Sequence, residues 1–596
     1  MAGRRIALAV VLACTVAGGA ARMGTAGWGL PYQLHVDEKG FVVWEAVYAE
    51  WRGLMRGDWR PRINTYGPLV FELVLATKWA TMGGIERARE VAAQFQDPAG
   101  YLRGAFGHLG DAPFHWPDLY LRLRLLVGLL GAVAVALLAA AAWRLEGPRA
   151  GAWTAAMAAS AVGLIQVGHF YTAESLLVVE LCMLLHACAR LATGGGWGSA
   201  VYAGVATGLI AATKVPGLLL LAAVPVALAA PAPSASAARW RDAAREAGRA
   251  TLRALVSGRF LAVVGVGLAV AALFNPWALF EPQAYFGEVA GNRSGLGVLR
   301  THFTETEFGF YDWRFVYNDT TPFVYHLRRV LPYAIGTPLL LASGVALVSG
   351  ARRLRPVDRL ALAATLPTLL LIGAWGVKTI RYALPMVPGL LLAAGPALAR
   401  WSVPEGTGAV RRLGVPLIAW GTAAYTVAYG LAFTLMFTEP DPRVAAARFI
   451  TERAQPGDVV VVEAEPSYTA PLGHDHDLVG VAPDLRPDVR VRRLWTTRPP
   501  PERVDAHVQR RLRAARFVVI GDWYRRRAEH PRAPAPHRRF YEALRGGDMA
   551  FERVATFRPE PHLGPLRWSE DDAEILAVSF DHMGIEVYER TEATGP

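Results

Sequence analysis

Two adjacent carboxylates, Asp37 and Glu38, stand in the run Leu34-His35-Val36-Asp37-Glu38-Lys39-Gly40-Phe41, beside an amphipathic stretch at 41–55. A carboxylate at a membrane surface can take a proton from a hydroxyl, as a general base does. An adjacent acid pair is also what an ordinary solvated loop carries. More charges recur at the edges of apolar runs. His169-Phe170-Tyr171-Thr172-Ala173-Glu174 joins two such runs. Its Glu174 can cap the second helix, because carboxylates favour a first turn, or it can face a site. Lys214 is alone in Ala211-Ala212-Thr213-Lys214-Val215-Pro216-Gly217. It can snorkel to the interface or hold an anion such as phosphate. Lys378-Thr379-Ile380-Arg381-Tyr382 has the same placement, and the stretch 275–328 adds Arg293, Arg300, His302 and Arg328 among aromatic residues. Charges at membrane depth are costly and are functional candidates by default. An acid pair with several separated cations suits an anionic lipid headgroup and a proton acceptor.

The elements that must position these residues are apolar blocks. The chain has 596 residues, 53% of them hydrophobic, and a mean hydropathy of +0.25. Blocks at 121–143, 201–212, 215–230, 260–274 and 360–376 are nearly free of charge. A span needs about 20 apolar residues to cross roughly 30 Å of hydrocarbon, so a series of such blocks excludes an ordinary soluble protein. The net charge of +12 sits in short arginine-rich loops between blocks, the signature of cytoplasmic loops. No basic stripe is interleaved with base-stacking aromatics, so no nucleic-acid partner is expected. Cys14, Cys182 and Cys188 imply neither a disulfide framework nor a metal site. Arg4-Arg5 before the apolar run 6–21 resembles a signal peptide, and Val11-Leu12-Ala13-Cys14 a lipoprotein box. With so many blocks behind it, an uncleaved first span is the preferred reading.

Sidedness follows by parity. Arg4 and Arg5 hold the N-terminus in the cytoplasm, which leaves a large first outer loop at 24–118. Spans are then expected at 119–143, 151–167, 175–192, 199–213, 215–230, 260–274, 330–349, 360–376, 383–399 and 414–437. The arginine-rich loops share one side only if 69–82 does not cross. That stretch is short and carries Glu72 and Lys78, so it reads as an interfacial helix. Eleven crossings result, with loop 275–328 and every candidate group on the outer face. Residues 1–438 thus form a membrane body and 439–596 a small extracytoplasmic α/β domain. In that domain helices are expected at 441–453 and 503–515, and strands at 459–463, 517–521, 551–557 and 585–589. A solvated loop is expected at 528–539. His474-Asp475-His476-Asp477 reads as a polar turn rather than a metal cluster. No glycine-rich phosphate loop and no cytoplasmic acid pair stands out, which disfavours a nucleotide donor.

The ordered motifs resemble the GT-C superfamily of polyprenyl-phosphate-dependent glycosyltransferases, specifically glycosyltransferase family 39 with its protein mannosyltransferase and aminoarabinose transferase branches. The resemblance rests on Asp37-Glu38, Tyr66-Gly67-Pro68-Leu69, Leu121-Arg122-Leu123-Arg124-Leu125-Leu126, Tyr171-Thr172-Ala173-Glu174-Ser175, Ala212-Thr213-Lys214 and Arg381-Tyr382-Ala383-Leu384-Pro385-Met386-Val387-Pro388. It implies a multi-pass helical GT-C fold in the plasma membrane and an inverting transfer of one sugar from a polyprenyl-phosphate carrier to an acceptor hydroxyl. Asp37 would be the general base, and Glu38 would support it or orient the acceptor. Lys214, Arg381, Arg124 and Arg293 would hold the leaving phosphate, with His169, Glu174, Tyr382 and His302 near the substrates. Glu174 stands where the family usually has an aspartate, and Tyr66-Gly67-Pro68-Leu69 departs from a double-proline form. Some relatives use a divalent cation and others none, so the cofactor stays open. The acceptor would be a glycan, a lipid or a protein. The alternative is a transporter or flippase of lipid-linked sugars. Transporters often show internal repeats and helices broken at mid-membrane, whereas here the polar groups sit at span ends.

Overall fold

Backbone polar groups inside a bilayer must be satisfied within the chain, so uncharged blocks of this length become helices. The computed structural model describes all residues except 1, 63–65, 107–115, 230–239, 284–304, 306, 405–409, 465, 473–487 and 592–596. Arg293, His302 and the His474–Asp477 motif therefore lie outside the described residues. Among those described, six helices are long and apolar enough to cross a membrane: Ala2–Gly24, Pro117–Glu146, Ala173–Ala192, Pro356–Ala374, Ile380–Trp401 and Arg412–Met436. Two bent pairs bring the number to eight. Trp240–Ala254 meets Gly258–Phe274 at 53°, and His326–Ile335 meets Thr337–Arg353 at 109°.

The other three expected crossings are helical but short or broken. Pro148–Ser160 and Val162–Val167 part at Ala161, whose ψ of 116° is extended. Trp197–Thr213 has 17 residues and ends where Lys214 goes extended, at φ −159° and ψ 110°. After it come a 3-10 helix, Val215–Ala222, and the short helix Ala223–Leu228. Pro216, which cannot donate to a preceding turn, sits at the start of that 3-10 helix. A hydropathy count sees apolar residues through these breaks and cannot see the interruption.

The helix Leu69–Thr81 has 13 residues, roughly 20 Å at about 1.5 Å per residue, too short to span the hydrocarbon. Its Lys78 turns inward, donating to Glu50 Oε2 at 2.6 Å and to the Tyr101 hydroxyl at 3.1 Å. Trp79 Nε1 donates to Glu50 Oε1 at 2.7 Å. These bonds let Trp44–Arg56, Leu69–Thr81 and Gly84–Ala92 close over one apolar core with Val47, Phe71, Val91 and Leu123.

The C-terminal part carries a five-stranded sheet. Its strands are β1 (Val459–Val462), β2 (Arg490–Arg493), β3 (Ala515–Gly521), β4 (Phe551–Phe557) and β7 (Ile585–Arg590); a hairpin, β5 (His562–Leu563) and β6 (Leu566–Arg567), stands apart. The order is β2-β1-β3-β7-β4. β1 runs parallel to β2 and β3, while β7 is antiparallel to β3 and β4. The all-valine β1 is wholly buried, as a central parallel strand requires. Expected strands and helices of this region are all present, beginning with Pro442–Arg453, whose N-cap is Asp441. The edge strand β2, Arg-Val-Arg-Arg, lacks the apolar pattern that marks a strand in sequence. The expected solvated loop at 528–539 is corrected. The helix Ala535–Gly546 begins inside it, His537 is buried, and His537 Nε2 bonds the Tyr311 hydroxyl at 2.8 Å. Two of the three prolines that suggested a loop, Pro534 and Pro536, stand at the helix start, where the missing N–H costs nothing.

This part is bolted to the helical body by buried polar contacts. Arg443 is held by both oxygens of Asp441, at 2.9 and 2.6 Å, and donates to the carbonyls of Leu34, Ser467 and Phe580. Gln166 donates to Asp581 Oδ2 at 2.8 Å and to the Ala577 carbonyl at 2.7 Å. His582 sits between Asp581 and Glu570, each 2.5 Å away, and Glu570 also accepts from the Tyr429 hydroxyl. Burial opposes charge on His582, but the two carboxylates outweigh it and raise its pKa to about 10. A raised histidine contributes stability that is complete below its unfolded value near 6.5 and is lost as pH climbs through the folded value. The melting temperature of the detergent-purified protein should therefore fall between pH 7 and 10. In His582→Gln it should be lower at pH 7 and slope less; an unchanged slope would reject the assignment.

Candidate active site

Asp37 and Glu38 open a π-helical turn, Asp37–Val43, that leads into the helix Trp44–Arg56. Both side chains are buried, and adjacent residues on a helical turn point in different directions. Glu38 faces Arg124. The guanidinium forks onto the carboxylate through Nε at 3.0 Å and Nη2 at 2.7 Å, and Tyr171 N donates to the same group at 2.9 Å. Arg124 spends its remaining donor on the carbonyls of Ala26 and Trp28, at 3.1 and 2.6 Å, and lies over the Phe170 ring. Asp37 instead pairs with Arg381 Nη1.

Arg381 lies in the turn Ile380–Ala383, capped by Thr379. Its Nε has no partner, and its guanidinium stacks 5.2 Å from the Phe580 ring. Lys214 approaches from the break after Trp197–Thr213. Its Nζ lies 2.5 Å from Glu174 Oε1 and between the rings of Tyr66 and Tyr382, at 5.2 and 5.3 Å. Glu174 occupies the first turn of Ala173–Ala192, capped by Thr172 and Ser175, and its Oε2 is buried with no partner. The neighbouring Thr213 hydroxyl donates to Glu180 Oε1 at 2.7 Å.

The Tyr66 loop reaches Lys214 through a glycine. Gly67 N donates to the Thr213 carbonyl at 2.8 Å, and a Cβ at Gly67 would fall 1.8 Å from the Ala212 carbonyl oxygen. Only a residue without a side chain permits that approach. Lys214, Arg381 and Tyr382 line a narrow pocket of about 10 Å³ together with Leu177, Leu219, Leu371, Ile372 and Trp375. Cations set beside aliphatic side chains suit a ligand with an anionic head and a hydrocarbon tail.

The structure thus brings together Asp37, Glu38, Arg124, Glu174, Lys214, Arg381 and Tyr382. His169 is set apart. Its Nδ1 meets the Ile165 carbonyl at 2.7 Å, its Nε2 meets the Thr25 hydroxyl at 2.6 Å, and it stacks on Phe437. Burial pushes it down to about 3, so it is neutral and ties the first helix to its neighbours. Two residues were missed from sequence. His35 stacks between Phe170 and Phe580, at 4.3 and 4.7 Å, and its Nδ1 accepts from Glu38 N at 3.2 Å. Burial, then the facing Arg124, Arg381 and Arg443, hold it well below the usual histidine range. Phe580 comes from the far end of the chain, and no local signal could have linked it to Arg381. Among the described residues no three His, Cys, Asp or Glu side chains gather as metal ligands.

No family model matches the chain, and no curated protein matches it. Among solved structures, that of ArnT from Cupriavidus metallidurans bound to undecaprenyl phosphate is similar over 99% of this chain and 98% of that one, with 15% identity and a TM-score of 0.42. The apo oligosaccharyltransferase of Archaeoglobus fulgidus is similar over 98% and 88%, with 12% identity and a TM-score of 0.44. Similarity at this level assigns neither a family nor a chemistry to the chain.

Removing one member of a buried ion pair strands the other, at a cost of about 3–5 kcal/mol. Glu38→Gln and Arg124→Gln should each lower the melting temperature in detergent by several degrees. The double variant should lose clearly less than the sum, and strict additivity would show that the two do not act as a pair.

Proposed function

We propose that the chain is a membrane glycosyltransferase that moves one sugar from a polyprenyl-phosphate carrier to an acceptor hydroxyl on the extracytoplasmic face. The observation that carries this reading is the contact of Asp37 with Arg381, with Lys214 and Arg381 lining one small pocket among aliphatic side chains. The motif resemblance and the parity argument agree with it. In this reading residues 1–438 are the catalytic membrane body and 439–596 an outer domain.

The polyprenyl chain lies along Leu219, Leu371 and Trp375, with its phosphate between Lys214 and Arg381. Asp37 accepts the proton of the acceptor hydroxyl as that oxygen attacks the anomeric carbon. The bond from that carbon to the phosphate oxygen breaks, and its electron pair leaves with the polyprenyl phosphate. Arg381 and Lys214 meet the growing charge on the phosphate, where fixed cations contribute most. Glu38 is engaged by Arg124 and the Tyr171 N–H, which leaves Asp37 as the base, and the family resemblance implies a single displacement that inverts the anomeric centre. In the free protein Arg381 occupies the carboxylate that must act. Phosphate draws the guanidinium toward itself, so donor binding releases the base.

Purified protein incubated with synthetic polyprenyl-phosphate sugars and a membrane extract should release polyprenyl phosphate. Asp37→Asn should lower turnover about 10²–10⁴-fold while still binding donor lipid, whereas Lys214→Gln should weaken donor binding. Lipid binding without release by either form, across a broad donor panel, would favour the alternative of a lipid-linked sugar transporter.

A further inference from the structure

A second cavity, of about 700 Å³, opens between the sheet-bearing part and the turn at 316–329, within the usual range of ~300–1,000 Å³ for small-molecule sites. Six arginines line it: Arg329, Arg525, Arg526, Arg545, Arg553 and Arg558. Only four carboxylates, those of Glu529, Asp571, Asp572 and Glu586, share the lining. The acids are divided among the cations. Glu586 lies 3.7 Å from both Arg545 and Arg553 while accepting from the Tyr588 hydroxyl at 2.7 Å. Asp522, behind the wall, serves Arg525, Arg558 and, at 3.9 Å, Arg526. A guanidinium has five N–H donors, more than carboxylates shared in this way can occupy. The side chains of Arg329 and Arg553 are the most exposed of the six, at 46% and 53%, whereas Arg545 is also held by Glu529 at 3.3 Å. Apolar walls are few, chiefly Val316, Tyr325 and Ile575.

The cleft adjoins the candidate active site. Its wall at Asp572–Ala573 runs directly into Glu574, whose N–H donates to the Arg329 carbonyl at 2.8 Å. The Glu574 carboxylate accepts from the Tyr317 hydroxyl at 2.6 Å and from Ile380 N at 3.1 Å, the residue before Arg381. Tyr325 lines the cleft and packs in the same aromatic cluster as Tyr382. One strip of chain therefore separates a cationic, hydroxyl-tolerant cavity from the groups assigned to sugar transfer.

We propose that this cleft binds an anionic saccharide, a sugar chain bearing carboxylate or phosphate, and that it seats the acceptor for the transfer; the acceptor role rests on the glycosyltransferase reading, and anion binding does not. The positive excess supplies attraction, the arginine forks match planar carboxylate or phosphate oxygens, and the polar lining suits a ligand rich in hydroxyls. Full-length protein in detergent is titrated calorimetrically with trigalacturonate, with its neutral methyl ester and with inorganic phosphate. The charged trimer should bind, the ester should bind at least tenfold more weakly, and Arg329→Gln/Arg553→Gln, which leaves Arg545 on the buried Glu586, should weaken the trimer at least tenfold while the melting temperature stays near that of the unaltered protein. Equal binding of trimer and ester, or of the trimer to both proteins, would overturn the proposal. Inorganic phosphate binding as tightly as the trimer would overturn the saccharide assignment. Failure of polyprenyl-phosphate release leaves these binding results standing and removes only the acceptor role.

Discussion

The arrangement depends on a buried carboxylate that cannot be left alone. Glu38 sits 1% exposed after the first apolar helix, where an unpaired charge would be far too costly. Arg124, from a long apolar helix, reaches it with two parallel bonds while the Tyr171 N–H supplies a third. That clamp holds three separate stretches of chain together. It also sets the direction of Asp37, because consecutive residues of a tight helical turn cannot face the same way. With Glu38 turned to Arg124, Asp37 is turned to Arg381.

The same logic governs the other charges at the site. Asp37 pairs with Arg381, Glu38 with Arg124 and Glu174 with Lys214. Each pair brings together residues remote in sequence, and each lies where water is largely excluded. Such pairs add little net stability over apolar packing but are expensive to break singly. They leave the pocket nearly neutral until an anion arrives. Under the proposed function a donor phosphate competes with Asp37 and Glu174 for the same cations, which the free protein holds on those carboxylates. The unpartnered oxygen of Glu174 and the unpartnered Nε of Arg381 are where that rearrangement has room to begin.

The C-terminal part takes a share in this site. Arg443 joins the Leu34 carbonyl to that of Phe580, Phe580 covers Arg381, and Glu574 receives the Ile380 N–H. His582, with Asp581 and Glu570, fastens the same stretch to Tyr429 and Gln166. A movement of that stretch would be felt at Arg381, through aromatic contact and one backbone hydrogen bond.

The sequence by itself determined the helical membrane class, the position of most apolar helices and of four strands of the sheet, and the short list of charged residues at apolar edges. These are local properties. Apolar run length, proline and glycine punctuation, and the expense of a charge in hydrocarbon can all be read within a window of some twenty residues. Only the tertiary structure decided which charge meets which. Lys378 and Arg381 are both basic and three residues apart, yet Arg381 takes Asp37 while Lys378 donates to the Gly376 carbonyl at 3.2 Å. Arg124 turned out to serve Glu38, and His169 a structural bond to Thr25. The broken spans around Ala161 and Lys214, the helix hidden in a proline-rich stretch, and the roles of His35 and Phe580 were decided there too. Partners 86 or 344 residues apart leave no mark on the local pattern, because a side chain's partner is set by where packing carries its helix.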